Sequence, residues 1–201
     1  WVPASRQPQV LTTDDVLRMT AHPIGAPLAA DRAAFVLAAP LGLPKAESMP
    51  AGVKAEVVAE VKPTQDVWAC GDLPGLEEQF KRRQGVTPGE KDIRAPFPLV
   101  VAATKSGAAT QPAGAASPAP AERKVVVFSS DEFVRDEFAQ ASGLSQVGNK
   151  LVLGPLYPAN SDLFINALHW LTGDANRIAV GPRRGETPRL KKLDEAWAGR
   201  L

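Results

Sequence analysis

Arg123-Lys124-Val125-Val126-Val127-Phe128 is a strand-type run that ends directly on Ser129-Ser130-Asp131-Glu132, the form of a helix start. Ser129 with Glu132 three positions later matches a capping box, in which each side chain satisfies a backbone N–H of the first turn. The helix is expected to run to about Ala141, with Val134, Phe138 and Ala141 on its inner face. A buried strand that leads straight into a helix points to an α/β architecture, with apolar strands covered by helices on both faces.

The other segments extend that pattern. Val10-Leu11 is a possible short strand, and Thr12-Thr13-Asp14-Asp15 offers an N-cap for a brief turn through Met19. Ala33 to Ala38, closed by Pro40, has the apolar density of a buried strand. Lys54 to Lys62 alternates, with Val57, Ala59 and Val61 on one face and Glu56, Glu60 and Lys62 on the other. Gln65 to Cys70 continues that strand and brings Trp68 into the same sheet region. Leu76 to Arg83 is a short charged helix, broken by Gly85, Pro88 and Gly89. Pro98 to Ala103 is apolar on both faces, as a central strand requires. Leu151-Val152-Leu153 is a short strand. A second helix begins at Asn160-Ser161-Asp162, with Phe164, Ala167, Leu168 and Leu171 as its apolar stripe and Gly173 as its end. Arg177 to Val180 is a terminal strand.

Composition narrows the classes. Lys plus Arg is 23 and Asp plus Glu is 22, a net charge of +1 that argues against nucleic acid as a partner. A single cysteine excludes an intrachain disulfide and a Cys-based zinc cluster. Glycine and proline (16 and 19 residues) together exceed the ~12% typical of domains, so loops are abundant. Gly107 to Pro120 is almost wholly Ala, Gly, Pro, Ser, Thr and Gln, and is expected to be a flexible connection inside a single 1–201 domain. No apolar run reaches the ~18 residues of a membrane-spanning helix. The chain opens on Trp1 without a signal pattern, as a piece of a longer protein would.

Candidate chemistry is sparse. The turn Ser129, Ser130, Asp131 and Glu132 stands where α/β folds place ligands, at a strand's carboxyl end and a helix's amino end. Two carboxylates there repel phosphate, which leaves capping as the plainer role and a small-ligand sensor as the alternative. No glycine-rich phosphate-binding pattern occurs. Cys70 with His169 is the thiol–imidazole pair that a cysteine hydrolase or amidotransferase-like enzyme would use; the remaining histidine is His22. Ala69-Cys70-Gly71-Asp72 leads into a loop instead of a nucleophile elbow, so a small packed thiol is the simpler reading. Two distant histidines give no metal-ligand spacing, and neither metal nor cofactor is expected. Trp68 and Trp170 suit core or interface positions before a stacking platform. Arg177, Arg183, Arg184, Arg189, Lys191, Lys192 and Arg200 make residues 182–201 a basic tail, suited to solvent or to a juxtamembrane position.

Three blocks resemble the extracytoplasmic domain of ABC-type transport auxiliary proteins, relatives of the gliding-motility ABC transporter auxiliary component. Ala95-Pro96-Phe97-Pro98-Leu99-Val100-Val101-Ala102 is similar to the family's apolar "GPFPLAVA" strand, and Arg123 through Phe133 to its strand and acidic turn. Asn160 through Asp174 is similar to its "N-x-DLFLNAVNWLAGD" helix, matching at Asn160, Asp162, Leu163, Phe164, Asn166, Trp170, Leu171 and Gly173. The resemblance implies a flavodoxin-like fold of the class I glutamine amidotransferase kind, with a mixed or parallel sheet, helices on both faces and no Cys–His–Glu machinery. It also implies an address on the periplasmic or extracytoplasmic face of the cell membrane, a transmembrane helix beyond residue 201, and ABC permease and ATPase components as partners. The expected function is a non-catalytic binding or scaffold domain. Asn166, His169 and Trp170 are expected on the exposed side of one helix as partner contacts, with Asp162 in its first turn serving the cap and the helix dipole.

Overall fold

The longest strands are the two whose sequences alternate or run apolar most cleanly. A computed structural model of the chain describes residues 10–82, 85–106, 122–139, 141–147 and 150–178. Within these the elements run β1 (Val10–Thr12), β2 (Leu17–Met19), β3 (Ala34–Val36), β4 (Val53–Val61), β5 (Trp68–Ala69), α1 (Leu73–Lys81) and β6 (Ile93–Arg94). They continue as β7 (Phe97–Lys105), β8 (Arg123–Phe128), α2 (Asp136–Ala139), β9 (Ser142–Val147), β10 (Lys150–Pro155), α3 (Pro158–Thr172) and α4 (Ala175–Ile178).

The main sheet has four strands in the order β2-β4-β7-β8, and every pair in it is antiparallel. β1 pairs with β3, β5 with β6 and β9 with β10 in separate two-stranded ladders, also antiparallel. The expected flavodoxin-like sheet, parallel or mixed with helices on both faces, is therefore not the fold. The reason is in the connections. A parallel pair needs a crossover of a dozen or more residues, usually a helix packed on the sheet. Between β4 and β7 the chain builds a small ladder and the nine-residue α1, then returns antiparallel. After β8 it makes a 3-10 turn at Glu132–Val134 and the four-residue α2 in place of the long helix expected to Ala141.

Several local readings shift with it. Leu17–Met19 is a strand with its ends buried, not part of a turn. Trp68 lies in the β5–β6 ladder, outside the main sheet. β7 is central and buried, as its two apolar faces require. β8 is an edge strand whose residues alternate between exposed and half-buried, so its three valines do not mark burial on both sides. The expected strand at Arg177–Val180 gives way to α4 up to Ile178. Ala179, Val180, the Gly107–Pro120 connection and the 182–201 tail lie outside the described residues.

β4 carries a bulge. Val57 stands opposite Val101 and Ala59 opposite Val100, which leaves Val58 without a partner. Val58 is fully buried together with Ala59 and Val61, whereas Val57 is half-buried, so the simple alternation breaks here. Thr20 seals the bulge: its N–H donates to the Val58 carbonyl (2.9 Å) and its hydroxyl to that of Val57 (2.5 Å). The following turn passes so close that a Cβ on Gly25 would stand 2.8 Å from the Val58 carbonyl oxygen.

The core lies between one face of the sheet and α3. Phe35 and Phe128 each stack on Phe133 with ring centroids 4.9 Å apart, which joins β3, β8 and the turn after β8. Leu163 and Ala167 of α3 seal this cluster, each buried apolar side chain of leucine size contributing roughly 1.5–3 kcal/mol.

Candidate functional site

The turn after β8 is held by Ser130, not Ser129. The Ser130 hydroxyl donates to the Val36 carbonyl (2.5 Å) and accepts the Glu132 N–H (3.2 Å), so it ties β3 to the corner and caps the 3-10 turn at once. The Ser129 N–H continues the β7–β8 ladder to the Leu99 carbonyl (2.9 Å), while its buried hydroxyl has no hydrogen-bond partner. Arg135 reaches back 2.9 Å to Glu132 and 4.0 Å to Asp131, whose side chain is 87% exposed. The Ser130 hydroxyl and the Ser129 N–H are thus committed to the fold, and the carboxylates face solvent and Arg135.

α3 presents a different side from the one expected. Its buried residues are Ala159, Asn160, Leu163, Asn166 and Ala167. Phe164, Ile165, Leu168 and Leu171 are exposed, between 38% and 47%. The helix begins at Pro158, two residues before the expected cap, and Asn160 serves elsewhere. Its side chain accepts the Ala34 N–H (2.9 Å) and donates to the carbonyls of Ala34 (3.0 Å) and Phe133 (2.7 Å). Asn166 donates to the Ile24 carbonyl (3.1 Å), which docks the 22–28 turn on the helix. An amide buried in this way costs little, because its polar atoms are bonded to backbone groups that β-pairing leaves free. Asn166 is therefore an internal strut, and the partner role expected for it is corrected. His169 and Trp170 are half-buried, not the outermost residues of the helix. Gly173 ends α3 with φ 78°, the left-handed cap that glycine favours.

Trp170 is engaged on both sides. The His22 ring meets it edge-on at 5.4 Å, and the Lys124 ammonium sits 5.0 Å from its centroid while donating to its carbonyl (3.2 Å). The Ile24 N–H approaches His22 Nδ1 (3.3 Å), which requires that nitrogen to be unprotonated. Burial pushes the His22 pKa below its ordinary value, with Glu56 opposing and Lys54 adding to the shift. Asp162 falls in the second turn of α3 instead of the first, and burial with the charge of Asp31 raises its pKa above the usual carboxylate range.

Cys70 stands apart from this corner. It lines a hollow of about 260 Å³ with Asp72, Gln79, Thr87, Glu90 and Asp92, and neither His169 nor His22 contributes to that lining. Burial pushes the Asp92 carboxyl up. The N–H groups of Gly71 and Gly89 (each 2.8 Å) and the Cys70 thiol outweigh that effect and hold it below its ordinary value. Within that hollow the Cys70 thiol is hydrogen-bonded to the Asp92 carboxylate. The Cys70–His169 pair is not brought together.

No family model, curated protein or solved structure matches this chain. The residues that organise the corner are Ser130, Asn160 and the exposed stripe of α3. A groove of about 520 Å³ runs along it, lined by Val126, Phe128, Ser129, Asp131, Val134 and Phe164. Sequence periodicity assigned the stripe to the core because apolar residues are ordinarily buried. The signal that reverses it is the Asn160–Asn166 spacing, which puts two amides on the same face as Leu163 and Ala167.

Proposed function

We propose that this chain is a non-catalytic extracytoplasmic binding or scaffold domain serving an ABC-type transport complex. One observation carries the binding role: α3, fifteen residues long, shows Phe164, Ile165, Leu168 and Leu171 to solvent, and its charged or ionisable side chains are limited to Asp162 and His169. Contiguous exposed apolar surface of this kind, a few hundred Å² in order of magnitude, marks interaction sites on soluble domains. The transport context rests on the three resembling blocks, which fall on β7, on β8 with its turn, and on α3. The antiparallel sheet removes the fold from that argument. Among the described residues no helix is long and apolar enough to cross a membrane, so attachment in this reading belongs to a segment outside them.

The test is co-purification of the full-length protein with ABC-type permease and ATPase components from its native membrane. Recovery of both, lost on Leu168→Glu while near-ultraviolet circular dichroism is unchanged, supports the reading. Recovery of neither overturns the transport role. Recovery unaffected by Leu168→Glu removes α3 as the surface.

A further inference from the structure

We infer that a second copy of this chain docks on the outer edge of β8, strand against strand about a twofold axis, with the exposed faces of the two α3 helices meeting alongside. The inference rests on the reading of this side as a binding surface and names its first partner.

The Ser129 N–H bonds to Leu99, so Val127, Val125 and Arg123 exchange hydrogen bonds with β7. The N–H and C=O groups of Lys124, Val126 and Phe128 then point away from the sheet, and no strand of the described residues pairs with them. The edge is six residues long, with no proline and no bulge in its register with β7. Val125 and Val127 on it are 53% and 44% exposed. Natural edges are normally guarded by outward lysines, bulges or extreme shortness. Here Lys124 is turned inward onto Trp170 and guards nothing.

Charge selects the occupant. The edge is net basic at one end, where Arg123, Lys105 and Lys124 outnumber Glu122, and net acidic at the other, where Asp131 and Glu132 share the single opposing charge of Arg135. An antiparallel copy sets the Arg123 end of each chain against the Asp131 end of the other, twice across the axis, so the surface complements itself as an isologous contact must. The apolar wall is continuous with this edge, because the Phe164 ring lies 6.0 Å from that of Phe128. That wall carries no lysine or arginine from Pro158 to Thr172, which suits a second uncharged helix face and not an anionic membrane surface. A net charge of +1 sets little long-range repulsion between copies.

Sedimentation equilibrium of the 201-residue chain at about 100 μM, where a dimer of Kd ~10 μM is largely formed, tests this. The expected mass is about 43 kDa, twice the 21.3 kDa of one chain. Leu168→Glu should give a monomer. Asp131→Arg should weaken the dimer about tenfold, and Arg123→Asp added to Asp131→Arg should restore it. A monomeric wild type overturns the inference, whether or not it binds anionic vesicles or an unrelated chain. So does a dimer indifferent to Leu168→Glu and to the charge reversal. A monomer that still recovers the transporter removes this inference and leaves the binding role intact; a dimer that recovers no transporter does the reverse.

Discussion

The two edges of the main sheet are built to opposite rules. β2 is three residues long, and its middle residue, Arg18, is tied to Glu60 of the neighbouring strand (Nε to Oε1 2.6 Å), so a charged side chain stands on a strand too short to recruit another. β8 is twice that length, rich in valine, and flanked by the uncharged outer side of α3. The difference teaches that this sheet closes one border and leaves the other available. Availability is the property on which a binding role depends.

The comparison breaks most completely if the corner behind β8 is dismantled. Asn160→Ala strands the Ala34 N–H and two carbonyls inside the protein, and should cost about 3–5 kcal/mol, read as a lowered urea midpoint with unchanged slope. A loss under about 1 kcal/mol would mean that the amide does not hold the corner together. The next effect is pH dependence. His22 has a folded pKa below 6.5, so below that pH the unfolded chain binds more protons than the native one. Stability should fall as pH drops through 6.5 towards the folded pKa and recover above it, and His22→Gln should flatten that part of the Tm–pH curve. Smaller effects belong to the edges themselves. Arg18→Ala should cost about 0.2–1 kcal/mol through a half-exposed ion pair. Val127→Lys should shift monomer stability by no more than about 0.5 kcal/mol while it blunts the β8 edge and weakens self-association. If Arg18→Ala made β2 associative, length alone would not be what closes that border.

The sequence made individual elements legible more readily than their arrangement. Strands at Val10-Leu11 and within Ala33 to Ala38, the existence though not the strict alternation of β4, the apolar β7 and the Gly173 stop all follow from local patterns that report on one strand or one helix end. Pairing direction does not. Arg123–Phe128 is equally compatible with a central parallel strand and with an exposed antiparallel edge, because three valines satisfy the preferences of both. Of the expected apolar stripe of α3 only Ala167 is buried, while Phe164, Leu168 and Leu171 face outward, for a related reason. Periodicity ranks residues by hydrophobicity, and Asn160 and Asn166 are buried by their bonds to Ala34, Phe133 and Ile24, partners as much as 142 residues away in sequence. The bulge at Val58 was hidden because the contacts that seal it come from Thr20 and the turn at Gly25. Cys70 is read from its loop setting as a packed thiol, whereas the structure leaves it half-buried on the wall of a polar hollow beside Asp72 and Asp92.

Amide hydrogen exchange at Val126 and Phe128, followed as a function of protein concentration, addresses the open border most directly. Both N–H groups should exchange freely in dilute solution and gain at least about tenfold protection at high concentration, while the inward N–H of Val127 stays protected throughout. Equal protection of Val126 and Phe128 at every concentration would show the edge covered within one chain, and would contradict the account.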